Sequence, residues 1–226
     1  MDRAAFSAAA KESGLELSVA QLDSFAVFEE ALYKANQITN LTRVPQEDCW
    51  RRHFIDSLLI APLISTNATV LDIGTGAGFP AWPLACARPD LSVTALDSSG
   101  KMIGFLRTQP LPNLRVIQER AEDWGVREEF DFVTGRALAP LPIQLELSAA
   151  ACKIGGLVVP MRTPVERESF PCEEYAELGL RLKETHEQML PGGEMRAFPI
   201  YEKVARTPKG YPRKWADMRK KPLGSS

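Results

Sequence analysis

Little in this sequence could hold a metal or staple a fold. Only two histidines, His53 and His186, occur among 226 residues, too few for a His-based metal cage. The four cysteines, Cys49, Cys86, Cys152 and Cys172, are scattered without a C-x-x-C pair, so neither a zinc site nor a disulfide framework is expected. Long apolar runs are missing too. The most apolar stretch, residues 54–64, is broken by Asp56 and Pro62 and is far too short to span a bilayer. The opening MDRAAFSAAAKESG has acidic residues and no uninterrupted apolar segment, so no secretory signal is expected and the cytoplasm is the default. There is no internal repeat and no low-complexity tract. With 45% hydrophobic and 25% charged residues, the chain is an ordinary globular one rather than a disordered tail, a collagen or a coiled-coil rod.

What is present is unevenly charged. The formal net charge is −2, yet Lys203 to Lys221 holds eight basic residues against one acid, Asp217. That segment carries +7 and leaves −9 on the rest. Tyr211, Trp215 and three prolines interleave with the cations. Cationic side chains beside aromatic faces suit a phosphate backbone and unpaired bases. A basic segment facing RNA is therefore expected, with a solvated end as the plain alternative.

The first 65 residues read as helices. Ser18 with Gln21 three residues on is a capping box, followed by Leu22, Phe25, Ala26 and Leu32 at helical spacing. Pro45 opens a second helix through Trp50, Phe54 and Leu58 that ends near Ala61. Short β-rich runs then appear at 68–73, 91–96, 114–117, 130–134 and 157–160. Helical stretches at 80–88, 99–107, 138–152 and 165–182 alternate with them. Such alternation predicts an α/β fold with a mostly parallel sheet covered by helices. Residues 181–189 and 196–205, around Pro191-Gly192-Gly193, predict a closing antiparallel hairpin. The expected organisation is a helical cap over 1–65, an α/β domain over 66–206 and a basic tail over 207–226.

The chemistry is concentrated after the first strand, at Asp72-Ile-Gly74-Thr-Gly76-Ala-Gly78-Phe79-Pro80. Glycines at a strand-to-helix turn let a ligand approach the backbone and meet its N–H groups. A dinucleotide fingerprint would place its third glycine where Phe79 stands, and no Lys-Ser/Thr follows for a phosphate loop. The spacing resembles motif I of class I S-adenosylmethionine-dependent methyltransferases. The next strand ends on Asp97, where a carboxylate accepts hydrogen bonds from ribose hydroxyls or caps the turn before Ser98-Ser99-Gly100.

A narrower resemblance follows from Asn40-Leu41-Thr42, Arg52-His53-Phe54-Ile55-Asp56-Ser57-Leu58, the glycine loop with Phe79-Pro80, Asp97-Ser98 with Lys101 and Phe105-Leu106, Arg120-Ala121-Glu122, Arg136-Ala137-Leu138, Thr207-Pro208-Lys-Gly-Tyr211-Pro212-Arg213 and Lys221-Pro222-Leu223. These blocks run from about residue 40 to residue 223, and the chain resembles the RsmG (GidB) family of bacterial 16S rRNA guanine-N7 methyltransferases. The resemblance implies a Rossmann-like class I methyltransferase fold. It also implies S-adenosylmethionine held by Gly74, Phe79, Ala121, Glu122 and Arg136, which Gly76, Gly78, Asp97 and Ser98 join on the loop and ribose argument. The implied substrate is N7 of one guanine in the 530 loop of 16S rRNA, on the 30S subunit or its assembly intermediate; since nothing in the sequence suggests an obligate dimer, a monomer is expected. Two departures stand out. Ala81-Trp82 replaces a usual glycine, and Pro160-Met161-Arg162-Thr163-Pro164 replaces a lysine-glycine loop. A methyltransferase for another RNA site and a non-catalytic RNA-binding module of the same fold are the competing expectations.

N7 of neutral guanine carries a lone pair and no proton, so no catalytic acid, base or nucleophile is assigned; alignment and electrostatics carry the reaction. Arg52, His53, Arg162, Arg213, Lys214, Lys220 and Lys221 are the candidate RNA contacts. For His53 the plainer reading is a structural hydrogen bond to Asp56, three residues on. Trp82, Trp124 and Trp215 are possible RNA stackers, with core or rim packing favoured for the first two.

Overall fold

The computed structural model describes residues 1–164 and 175–224. Helix α1 (Arg3–Glu12) leads into α2 (Val19–Thr39). The capping box is present: the Gln21 N–H donates to Ser18 Oγ, and Gln21 Oε1 accepts from the Ser18 N–H at 2.8 Å. The same Gln21 side chain donates through Nε2 to the carbonyls of Cys86 and Ala87. It thereby satisfies orphan acceptors at the end of a helix 65 residues away. Phe25, Phe28 and Leu32 recur along one buried face of α2. They build an aromatic cluster with Phe6, Phe54 and Trp82, in which Phe28 stacks on Trp82 at 4.1 Å. Trp82, of the Ala81-Trp82 pair, is thus a core residue, and its indole N–H donates to the Gln109 carbonyl. The cluster reaches Phe79 in the glycine loop, 5.8 Å from Phe28. Cap and sheet share this one hydrophobic core.

The second helical stretch differs from a regular helix. Gln46–Asp48 is a 3₁₀ turn and Trp50–Ile55 is π-helical, running into the short α3 (Asp56–Leu58). A π turn is wider than an α turn, so residues three apart no longer stack. That geometry separates His53 from Asp56.

The α/β part follows as β1 (Thr69–Ile73), α4 (Ala81–Ala87), β2 (Ser92–Asp97), α5 (Gly100–Leu106), β3 (Leu114–Gln118), β4 (Phe130–Arg136), α6 (Leu141–Ala149) and β5 (Cys152–Met161). It closes with β6 (Leu180–Met189), β7 (Met195–Lys203) and α7 (Trp215–Lys220). The seven strands lie in the order β3-β2-β1-β4-β5-β7-β6. β1 to β5 are parallel, and β7 runs antiparallel between β5 and β6. Strand β5 starts earlier than expected. Its pairing jumps from Phe130↔Cys152 to Phe132↔Leu157, so 153–156, with Gly155 at φ +84°, bulge out between the two paired stretches. The helix expected over 165–182 falls partly on residues 165–174, outside the described residues. Its last part is not helical: Ala176–Leu178 is one 3₁₀ turn and Leu180–Leu182 belongs to β6. Gly179 between them, at φ +72°, lies so close to the Ala205 carbonyl that a Cβ would collide with it.

Candidate active site

The chain order reverses at β1, with β2 on one side and β4 on the other. In open α/β sheets, ligands bind beyond the strand C-termini at this point. Gly74 follows β1, Asp97 ends β2 and Arg136 ends β4, so three expected site residues converge here.

The glycine loop is tied to β2 through its backbone. The N–H groups of Gly74 and Thr75 both donate to the Leu96 carbonyl, at 2.8 and 3.1 Å. Gly76 has φ +57° and nothing within 4 Å of where a Cβ would stand; its N–H donates to Asp97 Oδ2 at 2.8 Å. At Gly78, φ +113°, a Cβ would lie 2.7 Å from Leu106 Cδ1 and 3.2 Å from Trp82 Cβ. Helix packing demands glycine there, whereas open space accompanies it at Gly76. Asp97 Oδ1 accepts from the Ser99 N–H at 2.8 Å, the turn-capping alternative, while each carboxylate oxygen keeps lone-pair capacity for a further donor. Asp72, buried in β1, accepts from the Ala81 N–H at 3.0 Å, and burial pushes its carboxyl up to about 7.

Beyond these tips opens a cavity of about 150 Å³, lined by Gly74, Asp97, Ser98, Ala121, Glu122, Leu138, Leu147 and Trp215. Glu122 is ion-paired to Arg120 at 3.3 Å. A larger cavity, about 580 Å³, lies at the opposite, N-terminal ends of the strands, beside Asn67, Asp131 and Lys153. It touches none of the expected site residues.

The other side of the crevice is a network of side chains. Arg136 Nη1 donates to Asp56 Oδ2 at 2.9 Å and to the Arg52 carbonyl at 3.0 Å, and Nη2 donates to His53 Nδ1 at 3.0 Å. A guanidinium only donates, so Nδ1 is the acceptor and the imidazole proton sits on Nε2, which donates to Thr42 Oγ1 at 2.7 Å. Burial, then the Arg136 and Arg52 charges, lower the His53 pKa to about 3. The ring stacks on Phe79 at 4.1 Å, nearly parallel. The expected His53–Asp56 hydrogen bond is replaced by this arrangement, because the π turn points Asp56 elsewhere. Asp56, 3% exposed, binds Arg136 and, through Oδ1 at 2.7 Å, Arg196 Nε on β7. Neither the Arg196 partnership nor the role of Asp56 carried a spacing signal, since the two residues lie 140 positions apart.

Two expected RNA contacts are engaged within the fold. Arg162 is buried, donating to the Ala139 carbonyl at 2.6 Å and to Gln144 Oε1 at 2.5 Å. Arg213 holds buried Glu146 through its backbone N–H, Nε and Nη2, at 2.8, 2.9 and 2.6 Å. Their charges are spent on the fold. His53 is likewise buried. Arg52, Lys214, Lys220 and Lys221 are exposed. Among the described residues, no group of His, Cys, Asp and Glu is arranged to hold a metal ion, and no helix is long and apolar enough to cross a membrane.

Comparison with known proteins agrees with this geometry. A TehB-like S-adenosylmethionine-dependent methyltransferase from Corynebacterium glutamicum superposes with TM-score 0.54 at 18% identity, over 79% of this chain and 98% of that one. The complex of M. jannaschii TYW2 with AdoMet gives 0.54 at 19% identity, over 66% and 75%. These likenesses establish the fold. Sequence relatives go further. The ribosomal RNA small subunit methyltransferase G of Leuconostoc citreum is 36% identical, over 97% of this chain and 98% of its own. That of Lysinibacillus sphaericus is 36% identical over 99% and 100%. The family described as GidB, rRNA small subunit methyltransferase G, matches residues 21–191, and the chain belongs to that family.

Proposed function

We propose that this chain transfers a methyl group from S-adenosylmethionine to N7 of one guanine in the 530 loop of 16S rRNA. Its similarity to small-subunit rRNA methyltransferases over nearly the whole chain carries the reading, together with a crevice at the sheet's switch point that fits the cofactor. A nucleoside needs close approach to backbone and an acceptor for its hydroxyls; the open space at Gly76 and the Asp97 carboxylate offer both.

Bound S-adenosylmethionine supplies an electrophilic methyl group carried on a sulfonium. Gly74, Gly76 and Gly78 form its backbone cradle, Asp97 with Ser98 takes the ribose, and Ala121 with Glu122 flanks the adenine. Phe79 and Arg136 close the opposite side, their positions held by His53 and Asp56. Arg52, Lys214, Lys220 and Lys221 meet RNA phosphates from the exposed surface. A base in an RNA loop is cheaper to extrude than one in a duplex. The N7 lone pair needs no deprotonation, and the one histidine at the site is held neutral by its surroundings. No side chain has to move a proton; the protein aligns, binds and excludes water. The protein works in the cytoplasm as a monomer on the 30S subunit or its assembly intermediate.

The test uses small subunits from cells lacking the protein, incubated with it and labelled S-adenosylmethionine, with the product mapped by N7-specific cleavage. A single new N7-methylguanine in the 530 loop is expected. Label elsewhere would move the target; cofactor binding without label would favour a non-catalytic module.

A further inference from the structure

The basic C-terminal segment is not a free end. Arg127 draws it in by donating to the carbonyls of Thr207, Pro208 and Tyr211. Arg213 locks onto Glu146, which is fully buried on α6, and Arg213 Nη1 reaches forward to the Lys221 carbonyl at 3.1 Å. Met218, fully buried, packs with Ile143 and Leu147 of α6, and Trp215 leans on the same cluster. Residues 207–221 therefore form a strap fastened across α6. Between its two strongest fastenings, Arg213 and Met218, Trp215 is delivered into the cavity that Asp97, Ser98, Ala121 and Glu122 also line.

We propose that Trp215 is a cofactor-binding residue: its indole forms the outer wall of the pocket for the adenosine part of S-adenosylmethionine, so the strap serves the cofactor site as well as carrying exposed lysines toward RNA. The inference rests on the reading that this crevice takes S-adenosylmethionine. An indole offers a purine a broad apolar face on a side chain with few rotatable bonds. Half-buried, Trp215 packs against the cluster of Ile143, Leu147 and Met218 and also lines the cavity. The cations that flank it, Lys214 and Arg219, point outward and are exposed, so one short helix presents an aromatic inward and charge outward. Losing an aromatic face from beneath a base is worth roughly a factor of ten in affinity.

The experiment is equilibrium dialysis with S-adenosylhomocysteine, paired with tryptophan fluorescence, on the wild-type chain, Trp215→Ala and Trp215→Phe. Trp215→Ala should bind about tenfold more weakly. Trp215→Phe should keep most of the affinity and lose the fluorescence change that the ligand induces in the wild type. Trp215→Phe guards against a folding artefact, since it preserves the packing against Leu147 and Met218. Wild-type affinity in Trp215→Ala, or an undiminished fluorescence change in Trp215→Phe, overturns the assignment while leaving the cofactor reading intact. A wild-type chain that binds no S-adenosylhomocysteine overturns both.

Discussion

The two sides of the crevice are built from opposite materials. On the β2 side there is backbone: amides of Gly74, Thr75 and Gly76 turned onto Leu96 and Asp97, with space at Gly76 where a side chain would be. On the β4 side there are side chains, with Asp56 holding Arg136 and Arg196, and Arg136 holding His53. A site made of backbone is vulnerable to added atoms. A site made of buried charges is vulnerable to removed ones, because each deletion strands a partner.

The sharpest way to break this contrast is Gly76→Val. Its left-handed φ disfavours any side chain, so about 1–3 kcal/mol of stability should go, while calorimetry should show S-adenosylmethionine binding abolished. Unchanged affinity would mean that the backbone side is not the cofactor cradle. On the other side, Asp56→Ala should cost about 3 kcal/mol in urea unfolding, because two guanidinium groups lose their common carboxylate. Arg196→Ala should cost less, since Asp56 keeps Arg136. Equal costs would show that the two arginines are not coupled through Asp56.

The charged side should also answer to pH. In the unfolded chain His53 takes up a proton below about 6.5, whereas in the fold it does so only near 3. Between those values protons favour the unfolded chain, so stability falls as pH drops. Between pH 7 and 5 the wild type should lose about 2 kcal/mol more than His53→Gln, measured by urea melts at both pH values; parallel losses would remove His53 as the cause. The mildest effect belongs to the exposed cations. Lys214, Lys220 and Lys221 replaced together by alanine should weaken RNA binding and reduce its log–log salt slope by about 2, with cofactor affinity retained. An unaltered slope would place the RNA elsewhere.

The backbone side was legible from sequence, and the side-chain side largely was not. Hydrophobic period and glycine spacing report what neighbours in the chain do, and the loop from Asp72 to Phe79, the strand ending at Asp97 and the Ser18–Gln21 cap are all local. The Asp56–Arg196 and Arg213–Glu146 pairs join residues 140 and 67 positions apart, and nothing in either neighbourhood marks which of 27 basic residues will be the partner. The π turn at Trp50–Ile55 was hidden for another reason: its apolar spacing is compatible with an α-helix, and only tertiary packing selects the wider turn. Charge counting misled at the C-terminus because Lys203 is buried, donating to the Leu178 carbonyl and to Thr207, and Arg213 is engaged internally. Part of the apparent basic face is therefore structural.

The strap also sets an order in time. The cradle, Asp97 and Glu122 have all been synthesised by residue 122, and the sheet that aligns them is finished with β7 at Lys203, yet the cavity's last wall arrives with residue 215. In a chain emerging from the ribosome vectorially, the glycine loop and both carboxylates therefore precede the wall that residue 215 supplies to the crevice. A nascent chain stalled before that point would carry the loop and the carboxylates and still lack a complete pocket.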